Sequence, residues 1–401
     1  MQIAVIGGGA SGLMAALTAA RGGHAVTLYE RQARVGRKLL ATGNGRCNLS
    51  NTGLGKENYH GAQPDFVLPA LEAFPVTETL DFFRSLGLLT VTEPSGRVYP
   101  RSDQAGSVVD VLRFAVQASG AQTRAGEEVL SLHRQGGGFL VETAAGKEYF
   151  DRVIVCCGGL AGEKLGGTKS GYTLLASLGH SRTKLFPSLV QLKTENTFVR
   201  SLKGVRADAE VTLLQSGKAV ARSAGEVQFT DYGASGPAIF EISREASVRG
   251  GKELLLQLDL LRGVSESDLA ALLRARCRDF PDLTTDDLLT GILHNRLGRT
   301  VIRAAGVSLN EALCALGEPA LRDIARTVKC FTLPVLGTLG FDSAQVTCGG
   351  ISTAEFKPET LESRLVPGLY AAGEVLDVDG DCGGYNLQWA WASGRLAGRL
   401  L

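Results

Sequence analysis

Residues 2–30 read QIAVIGGGASGLMAALTAARGGHAVTLYE, and the fold class follows from this stretch. Residues 2–6 are a short, wholly apolar run of the kind buried in a parallel sheet. The glycines after it open a helical run, LMAALTAA, which stops at Gly22-Gly23. Residues 24–30 supply a second strand, so the stretch is a βαβ unit. It carries Gly7-x-Gly9-x-x-Gly12 at its first turn and Glu30 at the end of its second strand. Gly7 permits the tight turn, Gly9 lets the backbone approach a pyrophosphate, and Gly12 allows close helix packing. Ala10 and Ser11 fall in the first helical turn, where free N–H groups and the helix dipole favour a phosphate. Glu30, with Arg31 beside it, stands where an adenosine ribose would be read. An acid at that position favours a free 2′-hydroxyl, so FAD or NAD fits better than NADP.

Outward from this unit, ERQARVGRKLLATGNGRCNLSN (30–51) is too polar and too broken by glycine for a helix. A segment leading from the ribose end along a dinucleotide would bring Lys38 to the phosphates. It would set the Thr42–Asn48 backbone, with Gly43, Gly45 and Arg46, beside a flavin ring. A helix is expected from about 65 to 86 and another from about 103 to 119 behind Ser102 as N-cap. Alternating strands follow around 127–150, beginning near Val129, and then the apolar strand RVIVCCGG (152–159), which ends in Gly158-Gly159. From about 190 the pattern changes to half-exposed antiparallel strands, VTLLQSGKAV and GEVQFTDYG, and residues 265–330 become helical. Near 346 the earlier pattern returns. The strand GLYAAGE leads through Gly373 and Glu374 into a glycine loop and a last helix, 385–399. A first domain interrupted by an insertion of roughly 140 residues accounts for this order.

The C-terminal loop mirrors the first one. Gly384 precedes a helix start at Tyr385-Asn386-Leu387-Gln388, and free N–H groups of 385–388 would stabilise the negative charge that a reduced flavin carries near N1 and O2.

These runs resemble a known family. GRKLLATGNGRCNLSN (36–51), GRVYPRSDQAGSVVDVL (96–112), GEVQFTDYGASGPAIFEIS (225–243), VTCGGIST (346–353) and GLYAAGEVLDVDGDCGGYNLQWAWASGRLAG (368–398) look like the BaiN-like family of NAD(P)/FAD-dependent oxidoreductases, which includes aminoacetone-oxidase-type members. The resemblance implies an α/β, glutathione-reductase-type FAD-binding domain of residues 1–190 and 333–401. It implies an inserted β-barrel substrate domain (191–263) and a small helical subdomain (264–332). It also implies FAD contacts from Gly7, Gly9, Ser11, Gly12, Glu30, Lys38, Gly45, Asn48, Val129 and the C-terminal loop. The family's activities range from amine oxidation to reduction of steroid-like enones, so it supplies no single reaction.

Composition narrows the partners. Lys+Arg 42 against Asp+Glu 41 leaves a net charge of +1, which offers no long-range field for nucleic acid or an anionic membrane. A small-molecule substrate is expected between the insertion and the flavin domain. The eight cysteines form no C-x-x-C pair, which suits reduced thiols in the cytoplasm. No second G-x-G-x-x-G occurs in 150–346, so NAD(P)H, where used, has to bind transiently in the substrate cleft. Oligomeric state is not legible.

Two motifs mislead. Gly162–Ser170 nearly spells a phosphate loop, but Thr168 stands where Lys must follow the second glycine. Cys156-Cys157 suggests a redox pair, yet successive strand residues face opposite ways and a vicinal bridge is strained. Ser235-Gly236-Pro237 reads as a helix start rather than a nucleophile. The catalytic candidates are Tyr385, Arg97 and Tyr232, with Tyr99 and Asp231 beside them. The expected chemistry is hydride transfer through flavin N5 between a small molecule and an acceptor. The rivals are an O₂-using oxidase of a small amine and a flavin-containing RNA-modification protein; the neutral charge and 6% aromatic content argue against the latter.

Overall fold

The apolar run Gln2–Ile6 forms β1, at the centre of a five-stranded sheet with β2 (Ala25–Glu30), β3 (Gln122–Ala125), β4 (Arg152–Val155) and β5 (Leu369–Ala371). The computed structural model describes residues 1–250 and 253–401. Strand order is β5-β4-β1-β2-β3, every pairing parallel, with Ile3 registered against Arg152 on one side and Val26 on the other. Ile3, Ala4 and Val5 are wholly buried, as expected of a parallel strand covered on both faces. Around the sheet stand helices α1 (Ala10–Arg21), α2 (Ala105–Ala118), α3 (Ser170–Ser177) and α4 (Tyr385–Gly398). Residues 1–187 and 344–401 make one compact unit and residues 188–343 a second.

The first unit joins the two chain ends through α1 and α4. A side chain at Gly394 would run into the Ser11 carbonyl, and one at Gly398 would stand 2.6 Å from the Ala15 carbonyl, so the two backbones touch. α4 also carries both tryptophans of the chain, each buried. Trp391 packs edge-on to Phe83 at 5.2 Å and donates to the Leu49 carbonyl; Trp389 donates to the Gly373 carbonyl. Beside them Gln388 is fully buried and fully bonded. Its Oε1 accepts from Ser50 Oγ (2.8 Å), and its Nε2 donates to the Phe74 carbonyl (3.0 Å) and to Thr79 Oγ1 (2.9 Å).

The second unit holds a closed six-stranded antiparallel barrel in the order Leu192–Thr194, Gly233–Ser235, Lys218–Phe229, Arg206–Gln215, Leu254–Asp259, Phe331–Thr338. Its alternating residues Ala209, Val211, Leu213, Leu254, Leu256 and Leu258 are buried, the period-two signature that a small barrel needs. The helix Pro237–Arg249 starts behind Gly236 with Pro at its first position. Helices Glu266–Asp279, Asn295–Ala304 and Glu318–Lys329 complete the unit.

Three sequence expectations change. The return to the first unit comes at 344, not 333, because Phe331–Thr338 pairs with Leu254–Asp259 and Leu192–Thr194 to close the barrel. The helix expected over 65–86 breaks at Phe74-Pro75 into Leu68–Ala73 and Val76–Ser85, since proline has no N–H to continue the ladder. Ser102 does not cap α2. The cap is Gln104, and Ser102 Oγ shares a hydrogen bond with Ser107 Oγ instead. Among the described residues no helix is long and apolar enough to cross a membrane.

Gln388→Leu strands the Ser50 hydroxyl and the Phe74 carbonyl in the core and leaves Thr79 Oγ1 only its bond to the Pro75 carbonyl, and an expected loss of about 3 kcal/mol follows from desolvation without partners. Urea denaturation followed by tryptophan fluorescence reads this directly, because both indoles sit in α4; an unchanged midpoint would refute the hub role.

Candidate functional site

The site is built where β1, β4 and β5 end. Gly7 has φ +107° and leaves no room for a side chain against the Cys156 backbone, and a side chain at Gly12 would collide with the Gly7 carbonyl. Gly9 differs: a Cβ there would meet nothing within 4 Å. It is the N-cap of α1 with no side chain bonded into the first turn, so the amides around Ala10 and Ser11 are left for an outside acceptor. Glu30 is oriented by two backbone amides, Gly8 N on Oε2 (2.8 Å) and Gln32 N on Oε1 (2.7 Å), which leaves further lone pairs for a diol.

The segment after Glu30 folds back in turns. Gly43 and Gly45, with Asn44 and Cys47, have φ between +56° and +86°, which turns the backbone repeatedly at Thr42–Asn48. Asn48 Oδ1 is buried and has no hydrogen-bond partner in the protein. It lies 2.9 Å from where a Cβ of Gly384 would stand, at the start of α4. An acceptor kept dry and unpaired beside a helix N-terminus is what a ring N–H of a bound flavin would satisfy.

The C-terminal side closes the cradle. Gly373 N donates to Ser393 Oγ (3.0 Å), and Ser11 Oγ reaches the Ala372 carbonyl (3.4 Å), so the end of β5 is tied to both α1 and α4. Glu374 accepts from Thr347 N (2.7 Å) and pairs with Lys38 Nζ (2.8 Å), with Gly158 and Gly159 beside it. Gly384 caps α4 with no side-chain bond. Gln388 N already donates to the Gly384 carbonyl (3.0 Å), so it leaves the set of free amides expected over 385–388. Tyr385 is fixed by Tyr59, whose hydroxyl donates to its carbonyl (3.0 Å) and whose ring lies edge-on at 6.4 Å. Burial pushes the Tyr59 phenol well above its usual range, so it remains a donor.

Several expected cofactor residues use their side chains on the protein. Arg31 donates to the Gly166 and Gly167 carbonyls (3.0 and 3.1 Å) and holds the loop that mimics a phosphate site. Arg46 lies over the Tyr99 ring at 4.0 Å and pairs with Glu93 (3.3 Å) and Asp103 (3.4 Å). Thr42 Oγ1 donates to the Leu39 carbonyl (2.6 Å). Asn386 clamps the loop through Gly380 N, the Gly380 carbonyl and the Asp381 carbonyl. Val129 is buried at the start of its strand, Leu387 is half-buried, and Arg97 begins the strand Arg97–Pro100 opposite Asn51. Tyr232 and Asp231 belong to the second unit, on the turn after Phe229, where Asp231 pairs with Lys203 at 2.8 Å. Sequence reasoning missed Ser393, Tyr59, the His60–Asp381 pair (2.7 Å) and the buried side-chain bonds of Gln388, of which only the backbone N–H was expected to matter. A glutamine inside the apolar run LQWAWA was the one available signal.

Comparison with known proteins gives the family. The model of the HI0933-like protein Rossmann domain matches residues 1–400. The chain belongs to the HI0933-like family. It is an FAD-dependent oxidoreductase, as the BaiN-like resemblance implied. It is 41% identical to a 3-dehydro-bile acid delta(4,6)-reductase of Clostridium scindens, over 99% of this chain and 98% of that one. It is 29% identical to a ribosomal RNA dihydrouridine synthase of Escherichia coli, over 97% and 95%. A solved 3-ketosteroid delta1-dehydrogenase of Sterolibacterium denitrificans shares the fold, with a TM-score of 0.53 and 13% identity over 99% of this chain and 98% of that one.

FAD therefore has a fitting site: open space at Gly9, an unpaired acceptor at Asn48 and two helix N-termini without side-chain caps. Gly9→Val is expected to fold but to purify colourless, whereas Gly12→Ala is expected to be insoluble. A yellow Gly9→Val protein of unchanged FAD affinity contradicts the placement.

The adjacent thiols are inert. Burial pushes Cys157 up to about 12 and Cys156 further still. Iodoacetamide at pH 8 is therefore expected to leave Cys156 and Cys157 unlabelled while it reaches the exposed Cys314 and Cys330; rapid labelling of Cys157 seen by mass spectrometry would reverse this reading.

Proposed function

We propose that the protein reduces a carbon–carbon double bond conjugated with a carbonyl in a small molecule, with NAD(P)H as the transient reductant. The observation that carries this reading is the 41% identity, end to end, with a reductase whose name specifies such double bonds on a 3-keto steroid acid. FAD, when bound, supplies hydride transfer through N5.

The chain's own residues provide orientation and charge. Amides of the first turn of α1 hold the diphosphate, and Glu30 accepts from the ribose. The first turn of α4 and Asn48 face the pyrimidine end of the ring, where amides and helix dipole offset negative charge. Lys38 and Glu374, Gly158-Gly159 and Gly373 line the path between these ends. Reduction of an enone also requires a proton at the carbon next to the carbonyl. We assign that proton to Tyr385, fixed edge-on by Tyr59, and assign Arg97 to the substrate's polar groups. All eight cysteines are free thiols, which fits a reducing cytoplasm.

A second reading rests on the relative from Escherichia coli: dihydrouridine is uridine with its conjugated ring double bond saturated, so the same hydride chemistry would serve an RNA base. The lower identity and the balance of basic and acidic side chains in residues 188–343 favour the small molecule.

Anaerobic absorbance distinguishes the possibilities. NADH or NADPH is expected to bleach the flavin, and a 3-keto-4-ene steroid to restore its colour within seconds. Recovery only with unmodified ribosomal RNA supports the second reading. No bleaching by either nicotinamide, with rapid recovery of the photoreduced protein in air, returns the oxidase.

A further inference from the structure

Among the described residues of the first unit, two buried side-chain atoms lack a hydrogen-bond partner: Asn48 Oδ1 and the Tyr172 hydroxyl. The first belongs to the cradle already described. The second lies on α3, just after the segment that imitates a phosphate loop, and neither sequence motif nor resemblance assigned it a role.

Tyr172 is 5% exposed. Its ring is covered by the Arg182 guanidinium at 5.7 Å. The residue before it fixes where α3 begins: a Cβ on Gly171 would stand 2.7 Å from Cys157 Cβ and 3.1 Å from the Val375 side chain. The first turn of α3 is thus pressed between the end of β4 and the Gly373–Val375 turn, the two segments that supply Gly158, Gly159 and Glu374. Burial and the neighbouring Glu374 carboxylate hold the phenol far above its usual range, so the hydroxyl keeps its proton and is available only as a neutral donor and acceptor.

A dry hydroxyl without a partner costs about 1–3 kcal/mol, and proteins rarely keep one with nothing to bind. We propose that Tyr172 is a cofactor-binding residue whose hydroxyl hydrogen-bonds an oxygen of the ribityl–diphosphate portion of FAD. The inference rests on the FAD reading above and extends it to a third element, α3, beside the helices α1 and α4. It also gives the near-miss phosphate loop a purpose: Gly162–Ser170, held by Arg31 through the Gly166 and Gly167 carbonyls, leads directly into the helix that carries Tyr172.

The test is Tyr172→Phe, which removes one oxygen and keeps the packing. FAD affinity, measured by quenching of flavin fluorescence on titration into apoprotein, is expected to fall roughly five- to thirtyfold. The melting temperature of the apoprotein is expected to stay level or to rise by about 1 °C, because an unpaired buried hydroxyl has been deleted. Unchanged FAD affinity overturns the proposal and leaves the hydroxyl to a buried water. A fall in affinity matched by a lower apoprotein melting temperature also overturns it, since the residue then acts through packing. Wild-type protein that takes up no FAD defeats the cofactor reading itself, a result distinct from either.

Discussion

Contact between the backbones of α1 and α4 is the constraint on which the rest depends. One helix follows β1 at the start of the chain and the other ends the chain, and small residues, Ser11 and Ala15 against Gly394 and Gly398, let them meet without intervening side chains. Close approach sets the beginning of α1 beside the turn after β5, where Ser11 reaches the Ala372 carbonyl and Ser393 receives Gly373 N. A dinucleotide needs donors at its diphosphate and at its ring, and no single helix is placed to supply both. The chain solves this by joining residues nearly four hundred positions apart.

What could be read in the sequence was whatever depends on local geometry. Gly7, Gly9 and Gly12 each imply a distinct steric requirement, and the structure gives each a different surrounding: a wall, open space and a carbonyl. Interactions chosen by distant partners were not legible. FTLPVLGT has the alternation of any strand, and only its pairing with Leu254–Asp259 assigns it to the barrel and moves the boundary from 333 to 344. Pro75 was visible, but a proline in a helical run gives a kink or a break depending on what packs around it. Gln388 binds Ser50, Phe74 and Thr79 from more than three hundred residues away, and nothing in its own neighbourhood names those partners. Tyr172 was hidden by the motif around it, since a failed phosphate loop invites dismissal of the whole segment.

The cations along the proposed cofactor path sharpen the electrostatic argument. Lys38 was expected to meet the phosphates, but its ammonium lies against Glu374; Arg46 is engaged by Glu93 and Asp103, and Arg31 by two carbonyls. In the proposed cofactor site, with these side chains matched inside the protein, the negative charge of a diphosphate would fall to backbone amides and helix dipoles, which carry only partial charge but are fixed in direction. Such a site pays no reorganisation when the ring's charge changes, because nothing has to move to meet it. It also holds the cofactor through shape: a carboxylate beside an ammonium adds little net field, so recognition rests on the open space at Gly9 and on donors and acceptors that have no partner until the ligand arrives. On the proposed reading Asn48 Oδ1 and the Tyr172 hydroxyl, more than the charged side chains, mark the cofactor's place in the first unit.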